Sequence, residues 1–130
     1  MTPEMILNGA YGALLGRGRC QGDFETGDGR VCQAGALAVA TGQPADVWRY
    51  IRDLEFEELD PSDLPMVEAA KILAKVEAPL QPVHEMSLNR LVTLLGDSND
   101  VASDAEIFDC FAKAAAEAAR LAEKAGAANV

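Results

Sequence analysis

Three cysteines and one histidine are the side chains best suited to chemistry here: Cys20, Cys32, Cys110 and His84. A thiol becomes a useful nucleophile when an imidazole within hydrogen-bond reach takes its proton and a third group orients that imidazole. Cys20 or Cys32 with His84 is therefore the pair a small thiol enzyme would need, although nothing local in the sequence specifies such a site. The four residues together also have the donor types and number of a zinc site, without the close paired spacing that makes zinc signatures specific. The bland alternatives are small core cysteines and a surface histidine in a proline-bearing loop.

Other motifs carry less. Gly16-Arg-Gly-Arg-Cys-Gln-Gly22 lacks the Lys-Ser/Thr ending and the preceding strand of a phosphate loop, and reads as a connector that needs unusual backbone angles. Asp97-Ser-Asn-Asp100 fails as a calcium loop, because Val101 and Ala102 stand where a ligand and a glycine are required. Between Arg52 and Lys71 lie Asp53, Glu55, Glu57, Glu58, Asp60, Asp63 and Glu68 with no basic residue among them. Such a run is a solvated face or a docking surface for a basic partner. For the docking alternative the candidate residues are Glu55, Glu57, Glu58, Asp60 and Asp63. A second acidic run, from Asp97 to Asp109, falls largely at a helix start, where the macrodipole already favours carboxylates.

The elements that must position these residues are mostly helices. Thr2 caps a first helix that Gly16 and Gly18 end; Gly9 and Gly12 weaken it or permit close packing. Phe24 and Thr26 before Thr-Gly-Asp-Gly, with Val31 after it, predict a small β-hairpin whose ends bring Cys20 and Cys32 into one neighbourhood. From Val31 a nearly all-apolar run stops at Gly42, which predicts a short buried helix at the centre of the fold. Pro44 opens a helix bearing Val47, Trp48, Ile51 and Leu54, and another spans Ser62 to Val76. Ala78 to Met86 reads as an ordered loop, Ser87 caps a short helix, and Gly96 to Asp100 reads as a turn. Ser103 and Glu106 form a capping box for a last helix to about Ala125. Its Ile107, Phe111, Ala114, Ala118, Leu121 and Ala125 make a seam suited to core packing or to a homodimer through this helix.

Composition limits the function classes. With 130 residues, 49% of them apolar and 25% charged, the chain reads as one globular domain over 1–130. Twenty-one Asp and Glu against 11 Lys and Arg give a net charge of −10, which opposes binding to a nucleic-acid backbone. The neighbouring pairs Arg17/Arg19 and Arg49/Arg52 are too small to form a basic stripe. No stretch is long and apolar enough for a membrane, and the first ten residues do not resemble a secretion signal. The expectation is a cytoplasmic protein with reduced thiols and no cofactor.

Three patches resemble a family of small uncharacterised proteins of actinobacteria and their phages. They are Arg19-Cys-Gln-Gly22, Val31-Cys-Gln-Ala-Gly-Ala-Leu37, and Asn99-Asp100 followed by Ser103-Asp-Ala-Glu-Ile107. The shared pattern is Cys-x-Gly, Cys-x-x-Gly-Ala at a helix start, and Asn-Asp leading into a final helix; a tryptophan of that pattern is replaced here by Arg19 and Ser98. The resemblance implies a source and a fold shape but no catalytic residues, and marks Cys32, Gly35, Asn99 and Asp100 as structural positions.

The expected architecture is mainly α, a compact bundle of about five to six helices with a small β-hairpin after the first. The expected function is that of a small acidic, non-enzymatic binding or regulatory protein, phage-encoded and acting on a host macromolecule. The alternatives are a thiol- or metal-dependent enzyme using Cys20, Cys32 and His84, with Cys110 as a further metal candidate, and a protein that sequesters a small ligand.

Overall fold

A computed structural model of the chain describes residues 1–128. The first helix, α1 (Pro3–Arg17), starts where the Thr2 side chain accepts a hydrogen bond from the Met5 amide at 3.2 Å, with Pro3 in a first turn that needs no donor. It buries Ile6, Leu7, Ala10 and Leu14 and stops at Gly18, whose φ of +86° favours glycine. Of its two suspect glycines only Gly9 is used for packing: a Cβ there would lie 3.1 Å from Ala40 Cβ, whereas Gly12 faces open space.

The second helix, α2 (Gln33–Ala40), is the centre of the fold, as its nearly all-apolar run predicts. Every residue from Cys32 to Ala38 is buried. Burying a side chain such as Leu37 contributes roughly 2 kcal/mol. The Cys32 sulfur accepts from the Gly35 amide at 3.3 Å and so caps the helix start. Gly42, at φ +84°, turns the chain away beyond its end.

After Pro44 comes a single 3₁₀ turn and then one α turn, α3 (Trp48–Ile51), shorter than the expected helix because it ends before Leu54, which is left exposed. Trp48 anchors it: the ring is fully buried and its Nε1 donates to Ala34 O at 2.7 Å. Two further 3₁₀ turns lead into α4 (Leu64–Glu77), which packs against α1, α5 and α6.

The fifth helix corrects the sequence expectation. Ser87 caps it as foreseen, accepting from the Arg90 amide at 3.2 Å, but α5 (Leu88–Val101) runs straight through Gly96-Asp-Ser-Asn-Asp100. The turn preference of those residues is local, and long-range hydrogen bonds from Asn99 override it. The chain reverses one residue later, where the Ser103–Glu106 capping box (3.1 and 3.2 Å) opens α6 (Asp104–Ala128). Four of the six seam residues of α6 are core: Ile107, Phe111, Ala114 and Ala118 are buried while Leu121 and Ala125 are exposed, and α6 packs on α1 and α4. A homodimer cannot use those four side chains, because the chain's own helices already cover them.

The β-hairpin does not form. Only two isolated bridges exist among the described residues, a parallel one between Arg19 and Val31 and an antiparallel one between Glu25 and Val31. The Val31 amide donates to Gly18 O at 3.1 Å and its carbonyl accepts from Cys20 N at 3.0 Å, so the backbone groups that a hairpin would need are committed to the segment leaving α1. The 20–31 loop is closed instead by Thr26 N to Arg30 O at 2.9 Å and Cys32 N to Phe24 O at 3.2 Å. One contiguous apolar core joins the six helices, and no helix among the described residues is long and apolar enough to cross a membrane.

Candidate functional site

The three patches that are far apart in sequence meet at Asn99. Its side chain is fully buried at the end of α5, with Oδ1 accepting from the Gln33 amide at 3.1 Å and Nδ2 donating to Cys20 O at 2.8 Å. Each of these backbone groups would otherwise be orphaned in the core, a cost on the order of 1–3 kcal/mol apiece. Arg19 closes the junction from the other side. Its guanidinium donates to Asn99 O, to Ala102 O at 2.8 Å and to Asp104 Oδ1 at 2.6 Å, tying the end of α1 to the α5–α6 corner. Gln21 Nε2 and Gly22 N each reach Asp100 at 3.0 Å, on its carbonyl and its carboxylate respectively.

Deeper in, Gln33 is fully buried and donates through Nε2 to Leu95 O at 2.8 Å and Glu77 Oε1 at 2.9 Å. Burial pushes the Glu77 carboxyl up to about 7, against the opposing pull of the Gln33 amide.

Outside this junction lies a cleft of about 560 Å³, within the size range of small-molecule sites. One wall comes from the 22–32 loop, with Asp23, Phe24 and Cys32; a second comes from the α3 end, with Arg49 and Arg52. The third wall is one face of α5: Thr93, Gly96, Asp97 and Asp100 recur at helical spacing. Arg49 pairs with Asp23 at 3.2 Å and stands over the Phe24 ring at 5.8 Å. Arg52 Nε is buried with no hydrogen-bond acceptor among the described residues.

The candidate cysteines and histidine are divided. Cys20 and Cys32 lie near the junction, but His84 is exposed on the 3₁₀ turn Val83–Glu85 and lines a separate groove of about 340 Å³ with Lys75, Lys113 and Leu121. Cys110 sits half-buried on α6. No dyad is assembled, and no group of three or more His, Cys, Asp or Glu among the described residues is placed to hold a metal. Burial pushes the Cys32 thiol up to about 11, and also raises those of Cys20 and Cys110. The thiols therefore stay protonated at neutral pH and are poor nucleophiles.

The acidic run partly serves itself. Glu58 accepts from the Glu55 amide at 2.9 Å, Asp60 accepts from the Ser62 amide and hydroxyl at 2.9 Å, and Asp63 accepts from Gln43 at 2.8 Å. The Glu58 and Asp60 bonds close the 3₁₀ turns between α3 and α4, the Asp63 bond ties the start of α4 to the segment before α3, and the Phe56 ring covers the Lys71 ammonium at 4.2 Å. The carboxylates of Glu57 and Glu68 make no hydrogen bond among the described residues, and both residues are exposed.

Sequence reasoning missed the cleft. Arg49 and Arg52 stood out as a close pair, but nothing showed that α5 faces them. The signal was available in Thr93, Gly96, Asp97 and Asp100, whose spacing is that of one helix face once 96–100 is read as helix. The chain matches no protein-family model, no curated protein and no solved structure.

Proposed function

We propose that the chain is a non-enzymatic binding protein whose working surface is the cleft between the 22–32 loop, α3 and α5. The carrying observation is that three distant segments are locked together through buried Asn99 directly behind this cleft, so two of its walls, the 22–32 loop and α5, are held by hydrogen bonds rather than by apolar contact alone. A pre-formed cleft lowers the ordering cost of binding. The raised thiols and the separation of His84 from the cysteines favour binding over thiol catalysis. The likeness to proteins of actinobacteria and their phages belongs to this proposal as its source, with regulation of a host process as the biological setting.

Gly96 provides the test. It lines the cleft, and a Cβ there meets nothing within 4 Å, so Gly96→Leu puts a side chain into the cleft on an unstrained helix. Helix propensity alone should raise stability by roughly 0.5–1 kcal/mol. The purified protein is incubated with a small-molecule extract of actinobacterial cells, passed through a desalting column, and the retained compounds are identified by mass spectrometry. A compound kept by the parent and lost by the folded variant is the expected result; identical retention by both removes the cleft from consideration.

A second proposal rests on the surface beside the cleft. Tyr50, Leu54 and Leu64 are exposed on the same stretch of chain as the exposed Glu55, Glu57 and Glu68, a mixture of apolar and acidic side chains suited to a basic protein segment. A lysine-rich peptide should bind it more weakly as salt rises, and more weakly still after Glu57→Gln with Glu68→Gln. Salt-independent binding, or no effect of the two amides, counts against it.

A further inference from the structure

The charges of the cleft are unevenly partnered, and this points to a ligand class. The following rests on the cleft being the binding surface. Five charged side chains line it: Arg49, Arg52, Asp23, Asp97 and Asp100. Three of them are occupied. Arg49 is paired with Asp23 at 3.2 Å, and Asp100 accepts from the Gly22 amide at 3.0 Å and from Asn99 Nδ2 at 3.3 Å. The remaining two, Arg52 and Asp97, take part in none of the ion pairs of the described residues, with each other or with anything else.

Arg52 and Arg90 are the two arginines outside these ion pairs among the described residues, and of the two only Arg52 lines the cleft. Arg52 is partly withdrawn from water, and its Nε is buried and lacks an acceptor. The Nε is closed off from the cleft, so the terminal guanidinium nitrogens are what Arg52 offers there, and a guanidinium that lines a cleft without an ion pair suits a planar anion that takes two parallel hydrogen bonds, as a carboxylate does. Asp97 offers the complementary half on the α5 wall. Thr93 adds to it, because its hydroxyl proton is committed to Asn89 O at 2.9 Å and its oxygen is left to accept. A phosphate would meet Asp23, Asp97 and Asp100 together, and a simple amine would meet Arg49 and Arg52. One positive and one negative group in the same small molecule satisfies both free charges.

We propose that the cleft binds a free amino acid, its carboxylate on Arg52 and its ammonium on Asp97 with Thr93.

The test uses the full chain and titration calorimetry. The probes are the free L-amino acids, each with its amide, which lacks the carboxylate, and its N-acetyl form, which lacks the ammonium; inorganic phosphate is a separate probe. At least one amino acid should bind, and both of its derivatives should bind at least about tenfold more weakly. Arg52→Gln should erase the preference for the acid over the amide while leaving the preference against the N-acetyl form. Asp97→Asn should do the reverse. Thermal melts of both variants establish that they fold.

The amino-acid assignment is overturned if no amino acid binds, if phosphate binds more tightly than all of them, or if either substitution weakens acid, amide and N-acetyl forms alike. Its failure is distinguishable from failure of the cleft. A non-zwitterionic compound retained by the parent and lost in Gly96→Leu leaves the cleft standing without this ligand, whereas identical retention removes both.

Discussion

Glu77 ends α4 with one carboxylate oxygen on the Gln33 amide, while its Oε2 and the Oε1 of Gln33 are both buried without a donor. Two orphaned acceptors in one polar pocket are relieved by a proton, and burial indeed raises this carboxyl from 4.5 to about 7. Between those two pH values the folded chain keeps a proton that the unfolded chain has released, so stability falls as pH rises through the window and levels off above it. The loss is roughly 3 kcal/mol. Glu77→Gln carries a permanent donor and no charge, so urea titrations at pH 5 and pH 8 should show a much smaller difference for the variant, with the variant more stable than the parent at pH 8. Equal pH slopes for the two proteins would acquit Glu77. Nothing in the sequence distinguished this glutamate from the 20 other acidic residues, because what sets it apart is the company of Gln33, 44 residues away.

Between elements, the tightest constraint is at Gly35. A Cβ there would stand 2.3 Å from Phe24 O and 3.3 Å from Ala45 Cβ, so the 20–31 loop rests directly on the α2 backbone. Gly35→Ala gains helix propensity of roughly 1 kcal/mol but forces the loop off the helix, an overpacking that commonly costs 1–3 kcal/mol. Gly12→Ala gains the same propensity at no steric cost, since nothing lies within 4 Å. Chemical denaturation should therefore rank Gly12→Ala above the parent and Gly35→Ala below it; an alanine tolerated equally at both sites would mean the loop does not lie where it is described. Helix starts were legible at this scale because caps are local: Thr2, Ser87 and Ser103 each act within three residues. The hairpin was misjudged because strand pairing depends on which partner takes the Val31 backbone groups, and the exit from α1 takes both of them.

For the molecule as a whole, a net charge of −10 on 130 residues sets up self-repulsion that folding must overcome. Salt screens it, with a Debye length of about 8 Å at 0.15 M. Melting temperature should rise from low salt to 0.15 M sodium chloride. The Glu57→Gln, Glu68→Gln double variant, which removes two exposed carboxylates without hydrogen bonds, should melt higher at low salt and respond less to added salt. The effect is bounded at roughly 0.5 kcal/mol per surface site. A melting temperature indifferent to both salt and substitution would show that these carboxylates are too well solvated to feel one another.

The amino-acid sequence by itself determined the helical class, the central place of the 31–42 run, the caps and the acidity, because each is written in neighbouring residues or in composition. Periodicity and capping act over a few positions, and net charge needs no fold at all. Tertiary structure alone decided that Gly96 to Asp100 is helix, that the α6 seam is core as far as Ala118, and that Arg52 and Asp97 share a cleft. Each of those outcomes depends on partners dozens of residues away. Asn99 shows the physical reason most directly: a residue that favours turns by itself becomes helical when the Gln33 amide and the Cys20 carbonyl have no other way to be satisfied in the core.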